Sequence, residues 1–190
     1  MSGQKSGRTQ FLLIAIVFLG PLAIAAWLYF SGGALQPEGR TNLGVLLQPI
    51  SNLNDEVRAD SPIHALYDNT WVLVYSNERG CDDACRGALY TLRQSRLMLG
   101  KEMDRVKRVF LHGDSAPDTV FLAEEHPGLT TIQDSTLGGV LDKKRPTDIP
   151  AGGYYLIDPL GNLVMYFRPD LDPADMVDDI KHLLKLSRIG

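Results

Sequence analysis

The fold is decided by residues 71–85, which read WVLVYSNERGCDDAC. The segment Trp71–Tyr75 consists of five consecutive β-forming residues without a polar interruption, which predicts a strand buried on both faces. Past this strand the apolar spacing becomes helical, since Cys85, Ala88 and Leu92 fall on one face of a helix. The two cysteines therefore lie where a central strand passes into the first long helix.

The remaining pattern alternates between strands and helices. It predicts strands over Thr41–Ile50, Arg105–His112 and Leu129–Gln133, a short helix over Pro117–Glu125, a hairpin of Tyr154–Ile157 and Leu163–Phe167, and a last helix capped by Asp172. Loops are expected over Ser51–Ser61 and over Ser135–Ile149, the second carrying Lys143, Lys144 and Arg145. A β-α-β unit followed by a β-β-α unit is the order of a thioredoxin-like fold, so the sequence predicts an α/β domain of this type over residues 41–190.

The N-terminal part predicts a transmembrane anchor. Residues 11–30 contain no charged side chain, and twenty apolar residues in a helix span the hydrocarbon layer of a bilayer. The tail before them, residues 1–10, carries Lys5 and Arg8 and no acidic residue. By the positive-inside rule this tail stays in the cytoplasm and the domain crosses the membrane. Residues 31–40 are predicted to be a tether.

A cleaved signal peptide is the alternative interpretation of the same segment. Gly20 and Pro21 interrupt the apolar run, and Ala23-Ile24-Ala25 resembles a signal-peptidase site. The apolar run continues through Phe30, however, which favours retention of the anchor. In both cases the domain is exported, and we expect a single-pass protein of the inner (cytoplasmic) membrane with its C-terminal domain in the periplasm.

The charge balance excludes one class of partner. The chain has a formal net charge of -4, and without Lys5 and Arg8 it has 17 basic against 23 acidic residues, or -6. The sequence shows no basic stripe that would neutralise the phosphates of a nucleic acid, so we expect no nucleic acid partner.

Cys81 and Cys85 are the two cysteines of the chain. In an oxidising compartment such a pair persists as a disulfide unless it is reduced. Residues four apart on a helix have Cβ atoms about 5–6 Å apart, whereas a disulfide needs about 3.5–4.5 Å, so closing the bond requires Cys81 to lie in a turn before the helix. Two thiolates around Cu(I) need less distortion. The pair is therefore a structural clip, a redox couple or a soft-metal site.

The strand Val72–Tyr75, the segment Cys81-Asp82-Asp83-Ala84-Cys85 and the hairpin Tyr154–Phe167 together resemble the Sco family over residues 11–187. Sco proteins are membrane-anchored, thioredoxin-like copper proteins that help assemble the copper A centre of cytochrome c oxidase. The family pattern is Cys-Pro-Asp-Val-Cys, so Asp83 matches its acid and Asp82 replaces its proline. The resemblance implies Cu(I) as the metal and a respiratory oxidase subunit or another assembly factor as the partner.

The resemblance also implies a third copper ligand, a histidine, at the position that Pro150 occupies in this chain. Metal binding is therefore expected to be altered or lost. His112 is the candidate replacement, because it ends the strand that follows the cysteine helix and strand carboxyl ends share one rim of an α/β sheet. His64, His126 and His182 are expected to be solvated or capping residues.

The predicted function is assistance in oxidase copper-centre assembly through Cys81 and Cys85. These residues would act by thiol–disulfide exchange, as in a thiol–disulfide oxidoreductase, or by Cu(I) handling. With His112 they form the predicted metal-ligand set. The alternative is a non-catalytic assembly or scaffold factor in which the cysteines form a structural disulfide.

Overall fold

The computed structural model describes residues 3–30, 42–115 and 117–189. The chain divides into two compact units, Met1–Thr41 and Asn42–Gly190. The predicted tether over residues 31–40 lies outside the described residues.

The N-terminal unit contains helix α1, which runs from Gly3 to Phe30. Within it, the 21 residues Gly7–Trp27 are long and apolar enough to cross a membrane. The helix begins well before the predicted anchor at residue 11 and takes in most of the predicted tail. Pro21 lies inside the helix and does not end it. Proline is tolerated in transmembrane helices, where local adjustments satisfy the backbone groups that it leaves unpaired.

The C-terminal unit contains strands and helices in mixed order. Its strands are β1 (Val45–Asn52), β2 (Trp71–Asn77), β3 (Val106–His112), β4 (Leu129–Gln133), β5 (Tyr154–Ile157) and β6 (Asn162–Phe167). Its helices are α2 (Leu53–Glu56), α3 (Ile63–Tyr67), α4 (Asp83–Met98), α5 (Thr119–Glu125), α6 (Ser135–Lys144) and α7 (Pro173–Leu186), with a 3-10 helix over Gly100–Arg105.

The strands form a six-stranded sheet in the order β1-β6-β5-β2-β3-β4. Strands β2, β3 and β4 are parallel, whereas β5 pairs antiparallel with β2 and β6, and β1 pairs antiparallel with β6. The α/β prediction with a thioredoxin-like domain and an N-terminal apolar helix is confirmed.

Both faces of the sheet are covered, and β2 shows how. Trp71, Leu73 and Tyr75 pack into a core with α4, α5 and α7. Val72 and Val74 point the other way, into a core with α2, α3 and α6. All five side chains are buried, as the uninterrupted apolar run predicts. The carboxyl end of β2 is therefore a rigid base for the segment that follows it.

The predicted loop over Ser135–Ile149 is wrong, because its first ten residues form α6. The Asp134 side chain caps this helix by accepting a hydrogen bond from the Leu137 N–H at 2.9 Å. Leu137 and Leu141, one turn apart, are fully buried. Two glycines between them weaken the helical signal in the sequence, since glycine has a low helix propensity.

The predicted boundary between the first strand and the loop at Ser51 is also wrong. Strand β1 runs on to Asn52, which then caps α2 by accepting a hydrogen bond from the Asn54 N–H at 2.9 Å. Helix α3 lies just beyond that predicted loop, before β2. Both helices are one turn or little more, and such short elements leave no periodicity to detect.

Asp179 ties the start of the domain to α7. Its side chain is buried, and Oδ2 accepts hydrogen bonds from the N–H groups of Leu43 at 2.9 Å and Gly44 at 2.7 Å.

We expect Asp179→Ala to lower the free energy of unfolding by about 2–4 kcal/mol, because it leaves two backbone donors unpaired. Asp178→Ala, at an exposed neighbouring position, should cost no more than about 0.5 kcal/mol. Equal effects in urea unfolding would contradict this role.

Candidate functional site

The candidate site is a disulfide at the start of α4. Cys81 lies in the segment between β2 and α4, Cys85 lies in the first turn of α4, and the two are bonded with their Cα atoms 5.1 Å apart. Cys81 thus lies in a pre-helical turn, the position that closing a disulfide requires. Cys85 is only 1% exposed, whereas Cys81 is partly exposed. Of the two, Cys85 lines the cleft described below, and Cys81 is the more exposed residue.

Asp82 caps α4 from between the cysteines. Its carboxylate accepts a hydrogen bond from the Cys85 N–H at 3.0 Å. This cap explains why a helix begins here without the proline of the Sco pattern, since Asp is a preferred capping residue. The carboxylate also occupies one donor of the helix terminus and places a negative charge beside the sulfurs, which opposes thiolate formation.

A cleft of about 490 Å³ opens beside the disulfide. Its walls are the end of β2 with the segment that follows, the first turn of α4 with Cys85, residues Gly138 and Asp142 of α6, and Ala151 with Gly152 before β5. A strand end, two helices and a loop therefore converge on the cysteine pair. The cleft is large enough to hold a few residues of a client chain.

Tyr75 and Tyr155 form the aromatic part of the cleft wall. Burial raises the pKa of Tyr75 to about 12, with a further contribution from the charge of Asp82. Burial also raises the pKa of Tyr155. Both phenols are protonated at neutral pH, so the two side chains add no charge to the cleft wall.

Glu78 is held between two glycines on the opposite side of the same cleft. A Cβ atom on Gly138 would lie 1.9 Å from Glu78 Oε1, and one on Gly113 would lie 2.6 Å from Oε2 and 2.9 Å from the Glu78 carbonyl oxygen. Neither glycine has a positive φ angle, so the constraint at each position is the close approach of Glu78: its main-chain carbonyl at Gly113, and its carboxylate, which can move, at Gly138. The sequence signal for this contact is weak, because it depends on α6 being a helix.

The two arginines nearest in sequence to the cysteines differ in the contacts that their side chains make. Arg79 lines the cleft. The Arg86 guanidinium lies 4.2 Å from the ring centre of Phe121 and 3.6 Å from Asp118 Oδ2, so α5 holds its charge. Arg79 is therefore the cation available within the cleft to an incoming thiolate or carboxylate.

His112 ends β3, as predicted, and its side chain is buried on the same side of the sheet as α4. Its Nδ1 lies 2.8 Å from the Gly113 carbonyl oxygen, which favours a proton on Nδ1 and leaves a lone pair on Nε2. This tautomer suits a metal ligand. Within residues 3–30, 42–115 and 117–189, no three His, Cys, Asp or Glu side chains form a metal-binding group. The role of His112 as a third ligand stays a prediction.

The segment before β5 is where the resemblance to Sco proteins implies a histidine. Ala151 and Gly152 line the cleft, and neither has a donor side chain. Pro150 is held by its carbonyl oxygen, which accepts a hydrogen bond from the Tyr166 hydroxyl at 2.7 Å. This wall can therefore contact a peptide, but it adds no side-chain ligand for copper.

Three comparisons with known proteins were made for this arrangement of residues. A family model described as "transmembrane-like, thioredoxin-like, C-terminal domain" matches residues 71–187, which include β2, both cysteines and α7. No curated protein sequence matches the chain.

Solved Sco structures share the fold. The apo Sco1 protein from Thermus thermophilus is 18% identical, with a TM-score of 0.58 over 80% of this chain and 99% of its own. Copper-bound yeast Sco1 is 20% identical, with a TM-score of 0.53 over 65% and 81% of the two chains. Copper-bound ScoI from Arabidopsis thaliana is 19% identical, with a TM-score of 0.52 over 65% and 89%. The predicted resemblance is confirmed at the level of the fold.

The contact of Glu78 with Gly138 can be tested by alanine substitution in α6. Gly139→Ala should stabilise the domain by about 0.5–1 kcal/mol, because Ala favours a helix and nothing lies within 4 Å of its Cβ position. Gly138→Ala should give less than half this gain, since its Cβ displaces the Glu78 carboxylate. In a Glu78→Ala background, Gly138→Ala should recover the full gain. Equal gains from both glycines in the wild-type background, measured by urea unfolding, would contradict the contact.

Proposed function

Because the chain belongs to the family of transmembrane-like, thioredoxin-like C-terminal domains, we propose that it is a membrane-anchored thiol–disulfide protein acting in respiratory oxidase assembly. The observation that carries the proposal is the Cys81–Cys85 bond beside an open cleft, with Cys81 partly exposed and the buried Cys85 in the cleft wall. A structural clip has no need of such a cleft. The oxidase client is proposed from the resemblance to the Sco proteins, whose fold this chain shares.

In the proposed reaction the reduced pair acts on a client disulfide. The Cys81 thiolate attacks one client sulfur, which forms a mixed disulfide and releases the other client sulfur as a thiolate. The Cys85 thiolate then attacks Cys81, which closes the Cys81–Cys85 bond and releases the second client thiolate. Two electrons pass to the client, which takes up two protons, and a dithiol donor must reduce the pair again. The oxidised pair of this structure is the product of the reaction.

Copper is proposed as cargo for the same two residues. Opening the disulfide yields two sulfurs on neighbouring turns, and two thiolates satisfy the near-linear geometry that Cu(I) accepts. The copper-bound yeast and Arabidopsis structures support this second use of the fold. With Ala151 and Gly152 on the opposite wall, we propose that retention is weaker than in a site with two thiolates and one histidine. His112 is the proposed third ligand.

The location proposed for this chemistry is the periplasmic side of the inner membrane. Lys5 and Arg8 precede most of the candidate span, and no acidic residue lies among residues 1–10. Such an asymmetry keeps the N-terminal side in the cytoplasm. The domain would then meet the exported parts of the oxidase, where disulfides form in its copper ligands and need reduction.

A trapping experiment tests the exchange reaction. In the full-length, membrane-bound chain, Cys85→Ser should accumulate a mixed disulfide with a client, because Cys81 attacks and no second thiol resolves the bond. Cys81→Ser is the matched control and should trap little, since Cys85 is buried. Both are measured by alkylation and non-reducing electrophoresis. If neither variant traps a client and both still support oxidase assembly, the scaffold alternative with a structural disulfide replaces this proposal.

A chelator competition tests the copper proposal. The reduced wild-type chain should retain Cu(I) against a competing chelator, and Cys81→Ser should abolish retention because a single sulfur remains. His112→Ala should lower the affinity by about tenfold if Nε2 is a ligand. His182→Ala, at an exposed position on α7, is the control and should have no effect. A wild-type chain that retains no Cu(I) would leave thiol exchange as the remaining function.

A further inference from the structure

A second surface lies at the other end of the domain from the cysteines. A groove of about 520 Å³ lies between the 3-10 helix Gly100–Arg105 and the last turns of α7, with Leu99 and Leu184 among its lining residues. The 3-10 helix runs directly into the amino end of β3, where Val106 pairs with Trp71 at the amino end of β2. The cysteines follow the carboxyl end of β2, about 23 Å away for a strand of seven residues.

The groove is basic in a domain that is acidic overall. Its charged lining residues are Lys101, Arg105, Lys181 and Lys185 against Glu102. The Arg105 guanidinium lies 3.1 Å from Glu102 Oε2 and donates to the Leu184 carbonyl oxygen at 3.0 Å, so it forms part of the wall. Lys181 and Lys185 have no ion-pair partner within the described residues, and Lys101 approaches Glu102 only to 3.9 Å. Lys181 and Lys185 are therefore available to a ligand, and Lys101, whose side chain is 91% exposed, can exchange its long contact with Glu102 for one.

Exposed apolar side chains border these lysines. Leu97 and Met98 end α4 immediately before Leu99, and Leu186 and Ile189 follow Lys185. Their exposed fractions are 49%, 44%, 69% and 44%. A surface that combines lysines with exposed apolar residues is typical of segments that lie at a membrane interface, where the charges meet lipid headgroups and the apolar groups enter the acyl boundary.

We propose that this basic groove binds the anionic phospholipid headgroups of the bilayer surface. A chain with a candidate membrane span is held beside a bilayer, so a lipid surface is present at high effective concentration. The described part of the domain also begins beside α7, the helix that carries Lys181 and Lys185. Its Leu43 N–H donates a hydrogen bond to Asp179, about 9 Å along α7 from Lys185. Docking at the groove turns the cysteine cleft away from the lipid surface and toward partners. This inference does not depend on the thiol chemistry.

Vesicle binding by residues 42–190 tests the proposal. Both core clusters consist of residues from this unit, so we expect it to fold alone. The domain should bind phosphatidylcholine vesicles containing about one-third phosphatidylglycerol about 100-fold more tightly than pure phosphatidylcholine vesicles, since each lysine near an anionic surface contributes about fivefold. Lys181→Gln with Lys185→Gln should lower this binding about 25-fold and leave the unfolding temperature unchanged.

Arg58→Gln with Lys143→Gln is the matched control, because it removes the same charge from exposed positions outside the groove. It should reduce binding by less than about threefold, since these charges lie away from the docked surface. Equal binding to the two kinds of vesicle, or an equal loss in the two double variants, would overturn the proposal. Displacement of the domain by millimolar inorganic phosphate would also overturn it and identify the groove as a site for free anions.

Discussion

Strand β2 is buried on both faces, and the candidate site is built on its carboxyl end. Five successive side chains from Trp71 to Tyr75 pack alternately into the two cores, with parallel β3 on one side and antiparallel β5 on the other. A strand held in this way cannot slip in register without moving apolar groups out of both cores. The segment after Tyr75 therefore starts from a defined point, and so does Cys81.

Some groups around the cysteines favour a reactive thiolate, and others oppose it. The start of α4 favours negative charge, but Asp82 uses the Cys85 N–H and adds a carboxylate beside the sulfurs. Tyr75, whose pKa is raised by burial, carries no charge, and Arg86 is held by Phe121 and Asp118. Arg79 is left as the nearby cation in the cleft. The reactivity of the pair in the proposed exchange depends on the balance of these groups.

Much of the fold could be predicted from the sequence because its main elements carry strong periodic signals. The burial of β2, the helix after Cys81, the strand β4 and the β5–β6 hairpin follow from such patterns. Helix α6 could not be predicted, because Gly138 and Gly139 dilute its apolar spacing, and Gly138 meets Glu78, a residue distant in the sequence, only in the folded chain. The cleft could not be predicted either, because α6 and the segment at Ala151 are distant from Cys85 in the sequence and meet it only in the folded chain. The cysteines, in contrast, stand out as the chain's two thiols.

The central claim is that Cys81 and Cys85 form a redox couple and not a clip. The most direct test is the reduction potential of the pair, measured by equilibrating the full-length chain in detergent with glutathione buffers and counting alkylated thiols. We expect a midpoint between about -120 and -270 mV, the range of proteins that exchange disulfides with other chains. A midpoint below about -300 mV, typical of structural disulfides, would contradict the claim.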